Sequence, residues 1–106
     1  MIHHVVSFQL NPEVNPADAL EELVRASRSM LLKIPEVLSV KSGRNLDPES
    51  PWQFFFSIEV NSRDKLEVTL DDPHYLKFLE KHIRPNTVAD FALSFELDPS
   101  KDLKYS

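Results

Sequence analysis

Apolar residues occupy alternate positions at the start of the chain. Ile2, His4, Val6, Phe8 and Leu10 fall on one side of an extended segment, because alternate side chains of a β-strand share a face. The pattern predicts a first strand over residues 2–10 with one buried face. His4 is the polar member of that row, so it needs a hydrogen-bond partner or a functional role.

A helix is predicted after the first strand. Asn15 is placed to cap it, Pro16 suits the first helical position, and Asp18 follows in the manner of a capping box. Pro35 ends the helix, because the residue before a proline is pushed out of helical geometry. Between these signals apolar residues recur at helical spacing, at Leu20, Leu23, Val24, Met30, Leu31 and Ile34.

Three further strands and a divided helical region are predicted from the rest of the chain. The strands span about 37–46, 52–60 and 88–97, and helices begin at Ser62 and at Asp72-Pro73. Gly43, inside the second strand, indicates a bulge or a close backbone approach. The strand rows expected to face the helices are Trp52, Phe54, Phe56, Ile58 and Val60, and Phe91, Leu93, Phe95 and Leu97. The helix that begins at Asp72-Pro73 is expected to point Tyr75, Leu76, Leu79 and Ile83 inward.

The order of elements predicts an α+β fold of the ferredoxin-like βαββαβ type. Four antiparallel strands would form one sheet, and the helices would cover one of its faces. The opposite face would carry mostly small, weakly polar residues with almost no lysine or arginine, namely Val5, Ser7, Gln9, Phe55, Ser57, Asp90, Ala92 and Ser94. Such a face favours a homodimer in which a second copy covers it, the alternative being a modestly polar face in contact with water.

Composition limits the classes of function. The 106 residues indicate one domain over residues 1–98, followed by a polar C-terminal tail over 99–106. A net charge of −5 argues against nucleic acid or an anionic membrane as a partner, and no apolar run is long enough to span a membrane. One glycine excludes a glycine-rich phosphate loop, and the absence of cysteine, which excludes disulfides, is compatible with a cytoplasmic location.

Several short motifs in their order and spacing identify a family. The chain opens with Met-Ile-His-His-Val-Val-Ser-Phe, with His4 at a characteristic histidine, and later carries Ile-Pro-Glu-Val at 34–37 and Ser-Gly-Arg-Asn at 42–45. Asp-Pro-His-Tyr at 72–75, Phe78 and Asp90-Phe91 follow. Over about residues 1–97 the sequence resembles the stress-responsive A/B barrel (Dabb) family, which implies two ferredoxin-like subunits whose sheets face each other as a dimeric α+β barrel.

The resemblance also implies candidate site residues. The family includes a plant polyketide cyclase that works without a cofactor and uses the strand-one histidine, a second histidine and tyrosines. His4 carries over to this chain, Tyr75 occupies the position of the second histidine, and Ser27 and Thr69 lie near the positions of the tyrosines. A tyrosine can donate a hydrogen bond to a carbonyl or enolate, but its pKa near 10 makes it a poor base.

His4 and Tyr75 are therefore the candidate catalytic residues, with a structural His4–Tyr75 hydrogen bond as the alternative. A ligand pocket between sheet and helices is expected at Phe8, Trp52, Phe54, Phe56 and Leu79. No cofactor and no metal are expected, since the histidines are separated or point to opposite faces. The leading function is binding of a small apolar or aromatic molecule. The alternatives are a cofactor-independent enzyme of cyclase or monooxygenase type that uses His4, and a stress-linked structural dimer without a ligand.

Overall fold

The computed structural model describes residues 1–98, so the proposed tail over 99–106 lies outside the described residues. A π-helical turn over Leu79–Ile83 joins the last two helices. The strands and helices are β1 Ile2–Leu10, α1 Pro16–Leu31, β2 Ser39–Arg44, β3 Trp52–Val60, α2 Arg63–Leu70, α3 Pro73–Phe78, α4 Arg84–Asn86 and β4 Thr87–Glu96.

The four strands form one antiparallel sheet in the order β2-β3-β1-β4. Helix α1 lies against β2 and β3, and α2 packs beside β3. The arrangement confirms the predicted ferredoxin-like α+β fold. We call the side that carries the helices the inner face and the opposite side the outer face.

The predicted helix starts are confirmed by their caps. Asn15 Oδ1 accepts a hydrogen bond from the Asp18 amide at 3.1 Å. Ser62 Oγ caps α2 in the same way, and Asp72 caps α3. Each cap pairs a backbone N–H that has no partner inside its helix.

Phenylalanines fill the core between the inner face and the helices. Phe8, Phe54 and Phe56 are each at most 1% exposed, and the Phe8 ring lies 5.8 Å from both of the others. Phe78 of α3 meets the Phe56 ring edge to face. Leu76 was expected to point inward but is half exposed, since Tyr75 and Phe78, three residues apart, form the buried side of α3.

The prediction for β4 placed its two rows on the wrong faces. Ser94 pairs with His4 in register, so Ser94 lies on the inner face. Phe91, Leu93 and Phe95 pair with residues of β1 that point away from the helices, so they lie on the outer face. The physical reason is that β4 is an edge strand, and its more apolar row faces away from the helices that bury the apolar rows of β1 and β3.

Trp52 was also predicted on the inner face, and this was wrong. Phe8 pairs with Phe54, but Gln9 pairs with Trp52, so one extra residue is inserted in β3 and the alternation shifts. The Trp52 indole meets the Phe91 ring edge to face at 4.6 Å on the outer face. A single inserted residue is enough to move a side chain across the sheet.

Gly43 marks a close approach. The pairing of β2 with β3 continues without a shift through Gly43, which lies opposite Phe55. A Cβ atom at Gly43 would stand 3.3 Å from Cε1 of the Phe55 ring. Of the two predicted explanations, close contact therefore holds and a bulge does not. The strand is also shorter than predicted, at Ser39–Arg44.

Candidate functional site

His4 lies in the middle of β1, on the inner face, and is 6% exposed. Its flanking strand partners are Ile58 of β3 and Ser94 of β4. Nδ1 of His4 lies 2.7 Å from Ser94 Oγ, a short hydrogen bond between side chains. The sheet register thus supplies the partner that a buried imidazole requires.

The second ring nitrogen of His4 has no protein partner among residues 1–98. In that part of the chain no side-chain nitrogen or oxygen is both fully shielded and without a hydrogen bond. Nε2 is therefore not completely shielded from solvent. Ser94 orients the ring by one nitrogen and leaves the other available to a bound molecule.

Burial lowers the pKa of His4 below its ordinary value of 6.5, because desolvation disfavours the imidazolium form. The ring is neutral at physiological pH, and the Ser94 hydroxyl can serve either tautomer. If Nδ1–H donates to Ser94, Nε2 presents a lone pair. If Ser94 donates, Nε2 presents an N–H. The site can thus accept or donate one hydrogen bond.

A cleft of 290 Å³ opens beside Ser94, between β4 and α2. Ile2, Leu66 and Ser94 are among its lining residues, so the cleft combines apolar walls with the hydroxyl that holds His4. Arg63 and Glu67 of α2 also line it. We call this space the Ser94 cleft. Its volume is close to the lower limit of ligand pockets, about 300 Å³.

Tyr75 lies on the buried side of α3, over the inner face. Its ring meets Phe56 edge to face at 6.2 Å, and Phe56 pairs with Val6, two residues from His4. Burial, together with the negative charge of Asp90, raises the pKa of Tyr75 to about 12. The phenol therefore stays protonated and can act only as a neutral donor or acceptor near pH 7. Among residues 1–98, Tyr75 is not a hydrogen-bond partner of His4.

The residues expected to line a ligand pocket do not share a cavity. Phe8, Phe54 and Phe56 pack on one another and fill the space that the predicted pocket required. Trp52 lies on the outer face. Leu79 lines a separate cleft of 390 Å³ near Asp90. The clefts beside Leu79 and Ser94 therefore lie along β4, away from the phenylalanine core.

The two positions that the resemblance aligned with tyrosines carry no free hydroxyl. Ser27 Oγ donates to the Val24 carbonyl at 2.9 Å, and Thr69 Oγ1 donates to the Lys65 carbonyl at 2.8 Å. Both residues are fully buried. Because each hydroxyl is bonded within its own helix, neither adds a group to the His4 site.

The other histidines have carboxylate neighbours elsewhere. His3 lies near Glu59 at 3.9 Å, and His74 contacts the α3 cap Asp72 at 3.1 Å. Nδ1 of His82 lies 2.9 Å from a carboxylate oxygen of Glu22 in α1. Residues 1–98 contain no group of three side chains placed to hold a metal ion. Over the same range, no helix is both long and apolar enough to cross a membrane.

Ser94 and Asp90 are the site residues that sequence reasoning assigned to the wrong face. Pattern analysis placed them opposite the helices because the alternate row of β4 is far more apolar. The signal in the sequence was the unpaired imidazole of His4, which requires a polar partner such as a serine on the neighbouring strand.

Comparison with known proteins agrees with the fold. Residues 2–99 match the Stress responsive A/B Barrel Domain family. A dimeric ferredoxin-like protein of unknown function from Thermobifida fusca is 25% identical, with a TM-score of 0.79 over 91% of this chain and 90% of that one. A Dabb family protein with a ferredoxin-like fold from Mesorhizobium loti is 19% identical, with a TM-score of 0.76 over 91% and 95%.

An enzyme also shares the fold. A cofactor-independent oxygenase from Streptomyces nogalater is 12% identical and has a TM-score of 0.71, with 99% of this chain and 97% of that one covered. At this identity the likeness concerns the fold alone. No curated protein sequence matches the chain.

Proposed function

The chain belongs to the stress-responsive A/B barrel family, and we propose that it is a homodimer that binds a small apolar or aromatic molecule beside His4. The binding site is the Ser94 cleft, on the inner face. The dimer forms through the outer face. The observation that carries the binding proposal is the difference between the two ring nitrogens of His4. Nδ1 is hydrogen-bonded to Ser94, whereas Nε2 has no partner among residues 1–98.

The outer face supports the homodimer. Phe91, Leu93 and Phe95 are 42%, 50% and 50% exposed, and Trp52 continues the patch beside Phe91. A contiguous apolar patch of aromatic and leucine side chains is typical of an interface. The Thermobifida fusca protein, which shares the fold, is itself dimeric. A second copy bringing the same patch would bury both in a symmetric contact.

The inner face supports the small ligand. A neutral imidazole that can donate or accept one hydrogen bond fits a hydroxyl or carbonyl oxygen on an otherwise apolar body. The Ser94 cleft supplies apolar walls from Ile2 and Leu66. An apolar molecule with one oxygen matches this combination, since most of its surface would be buried against carbon and its oxygen would lie next to Ser94, the hydrogen-bond partner of His4.

Calorimetric titration with thymol, a small phenol, tests the binding proposal. Thymol should bind the wild type, and His4→Phe should weaken binding about tenfold because one buried hydrogen bond is lost. His3→Phe is the matched control on the adjacent, outward-facing residue and should stay within about twofold of the wild type, since its side chain is on the other face. Cymene, which has the same skeleton without the hydroxyl, should bind more weakly than thymol.

Two results would contradict the proposal. Equal thymol affinity for the wild type and His4→Phe would remove His4 from the site. If neither thymol nor cymene binds while the protein remains a dimer, the chain is better described as a stress-linked structural dimer without a ligand.

A cofactor-independent enzyme is the second candidate. It is supported by the neutral His4 ring with a free Nε2 on the same face as Tyr75, a phenol that stays protonated. Nε2 would take a proton from an acidic C–H of the bound molecule, and a neighbouring donor would stabilise the resulting enolate.

Hydrogen–deuterium exchange of phenylacetone in heavy water, followed by proton NMR, tests this candidate. The wild type should accelerate loss of the benzylic proton signal, and His4→Phe should remove about a hundredfold or more of that acceleration. The same rate with His4→Phe, or no acceleration at all, would exclude His4 as a general base for this class of substrate.

A further inference from the structure

We propose that a groove along α1 is a second binding site, for an amphipathic organic anion with an apolar body and a carboxylate. The groove has a volume of 870 Å³ and runs between α1 and the end of β2. None of its lining residues belongs to the His4 site or to the apolar outer face. We call it the α1 groove. The proposal is independent of the function proposed for His4.

One side of the groove is apolar. Its apolar lining recurs at helical spacing along a single side of α1 and just beyond its end, at Ala17, Leu20, Val24 and Leu32. These positions extend over roughly 22 Å at 1.5 Å per residue. Leu32 is more than half exposed. The row can bury a chain or ring that lies along the helix.

Three cationic side chains also line the groove. Arg25 and Arg28 of α1 and Arg44 of β2 all line the groove. Arg44 pairs with Phe54 in register, so it points to the inner face, under α1. An Arg28 guanidinium N–H donates to the Ser42 carbonyl at 3.5 Å, which places it against the same strand. Two elements therefore bring positive charge to one groove.

These arginines have no carboxylate partner in the described part of the chain. The ion pairs found among residues 1–98 all involve histidines. Glu21 also lines the groove, but it does not form an ion pair with any of the three arginines, so the groove keeps an excess of positive charge. This excess contrasts with a chain whose net charge is −5. Unpaired guanidinium groups in an otherwise acidic protein indicate an anionic ligand.

The shape of the site favours a small molecule. Planar guanidinium groups match the two oxygens of a carboxylate, and the adjacent apolar row matches a hydrocarbon body. Ligand pockets for small molecules have volumes of about 300 to 1,000 Å³, a range that includes this groove. A protein partner would instead need a contact of about 800 Å² on each side.

Decanoate, used below its micelle concentration, is the probe. Calorimetry and amide chemical shifts should show one decanoate per chain, with shifts concentrated in α1 and at Arg44. The double variant Arg28→Gln/Arg44→Gln should weaken decanoate binding about tenfold or more, because two charge-assisted hydrogen bonds are removed. Lys77→Gln, at an exposed position of α3, makes a charge change of the same sign outside the groove and should stay within about twofold. Circular dichroism checks that each variant is folded.

Decanol separates the charge from the chain length. It has the same hydrocarbon body, so the proposal requires it to bind more weakly than decanoate and to be insensitive to the double variant. Equal affinity of the double variant and the wild type for decanoate would overturn the proposal, as would tighter binding of decanol. The amide shifts of α1 could instead change on dimer dissociation and remain unchanged when decanoate is added. That result would assign the groove to a second copy of the chain and would also overturn the proposal.

Discussion

The two faces of the sheet carry similar residues but differ in how far those residues are buried. The inner face buries Phe8, Phe54 and Phe56 beneath the helices, with each ring in contact with another. The outer face carries Phe91 and Phe95, which are about half exposed. Both faces are aromatic, but among residues 1–98 only the inner one is covered by helices. The location of the helices, more than composition, decides which face is a core and which stays exposed within residues 1–98.

Polar groups differ between the faces in the same way. On the inner face, His4 and Ser94 are paired across two strands in a largely apolar setting. On the outer face, the adjacent His3 lies beside Glu59, and both are partly exposed. Desolvation lowers the pKa of His4 on the inner face, so the protonation of this residue depends on the fold.

The sharpest contrast should come from truncating neighbouring phenylalanines of β3. Phe56→Ala, on the inner face, should lower the free energy of unfolding by about 3 to 5 kcal/mol because it leaves a cavity in a packed core. Phe55→Ala, on the outer face, should cost about 1 kcal/mol when measured at high dilution. Urea unfolding at two protein concentrations measures both. Equal losses at high dilution would mean that the two faces are buried alike without a partner.

The outer face should control assembly. Leu93→Arg places a charge in the centre of the apolar patch and should weaken the dimer by about a hundredfold or more, since an unpaired charge would be buried. Leu46→Arg makes the same change at a loop residue that is 94% exposed and should leave the dimer intact. Sedimentation velocity measures the outcome. A dimer that survives Leu93→Arg unchanged would place the interface elsewhere.

Stability should depend on pH through His4. Its folded pKa lies below the value of 6.5, so in the acidic window below 6.5 the unfolded chain binds more protons than the folded one. This contribution to stability is fully present above the unfolded pKa and is lost as pH falls through the folded pKa. Urea unfolding at about pH 7.5 and about pH 5 should show a smaller acid loss in His4→Phe than in the wild type. If His3→Phe reduces the loss equally, His4 is not its source.

Tyr75 should give the smallest effect, confined to alkaline solution. Its folded pKa of about 12 exceeds the ordinary value of 10.0, so the folded chain retains a proton that the unfolded chain loses. The corresponding stability is present below pH 10 and lost as pH rises towards 12. Absorbance titration of the phenols should show a component near pH 12 that is absent in Tyr75→Phe. A single component near pH 10 in both proteins would contradict the burial of Tyr75.

Much of the fold could be predicted because local signals agreed with it. Asn15 and Asp72 cap helices where the sequence placed them, and β1 and β3 occupy the predicted positions. The inward row of β1 includes His4, so the oddity in the pattern corresponds to a real buried imidazole. Elements whose caps, periodicity and burial all agree are those that a sequence specifies best.

The missed features share one physical cause. Strand periodicity shows that two rows alternate, but it does not show which row faces the helices. For the edge strand β4 the more apolar row faces away, which reversed the positions of Ser94 and Phe91. The residue inserted in β3 likewise places Trp52 on the outer face and not on the predicted inner face. The partner of His4 and the location of the cleft followed from register, which pattern analysis does not supply.

The most direct test of the account is a long-range proton–nitrogen NMR spectrum of the histidine rings during titration with thymol. We expect the Nε2 signal of His4 to shift strongly because it contacts the ligand, while Nδ1 keeps its hydrogen bond to Ser94 and the His3 signals stay in place. Thymol binding that leaves both His4 nitrogens unchanged would contradict it.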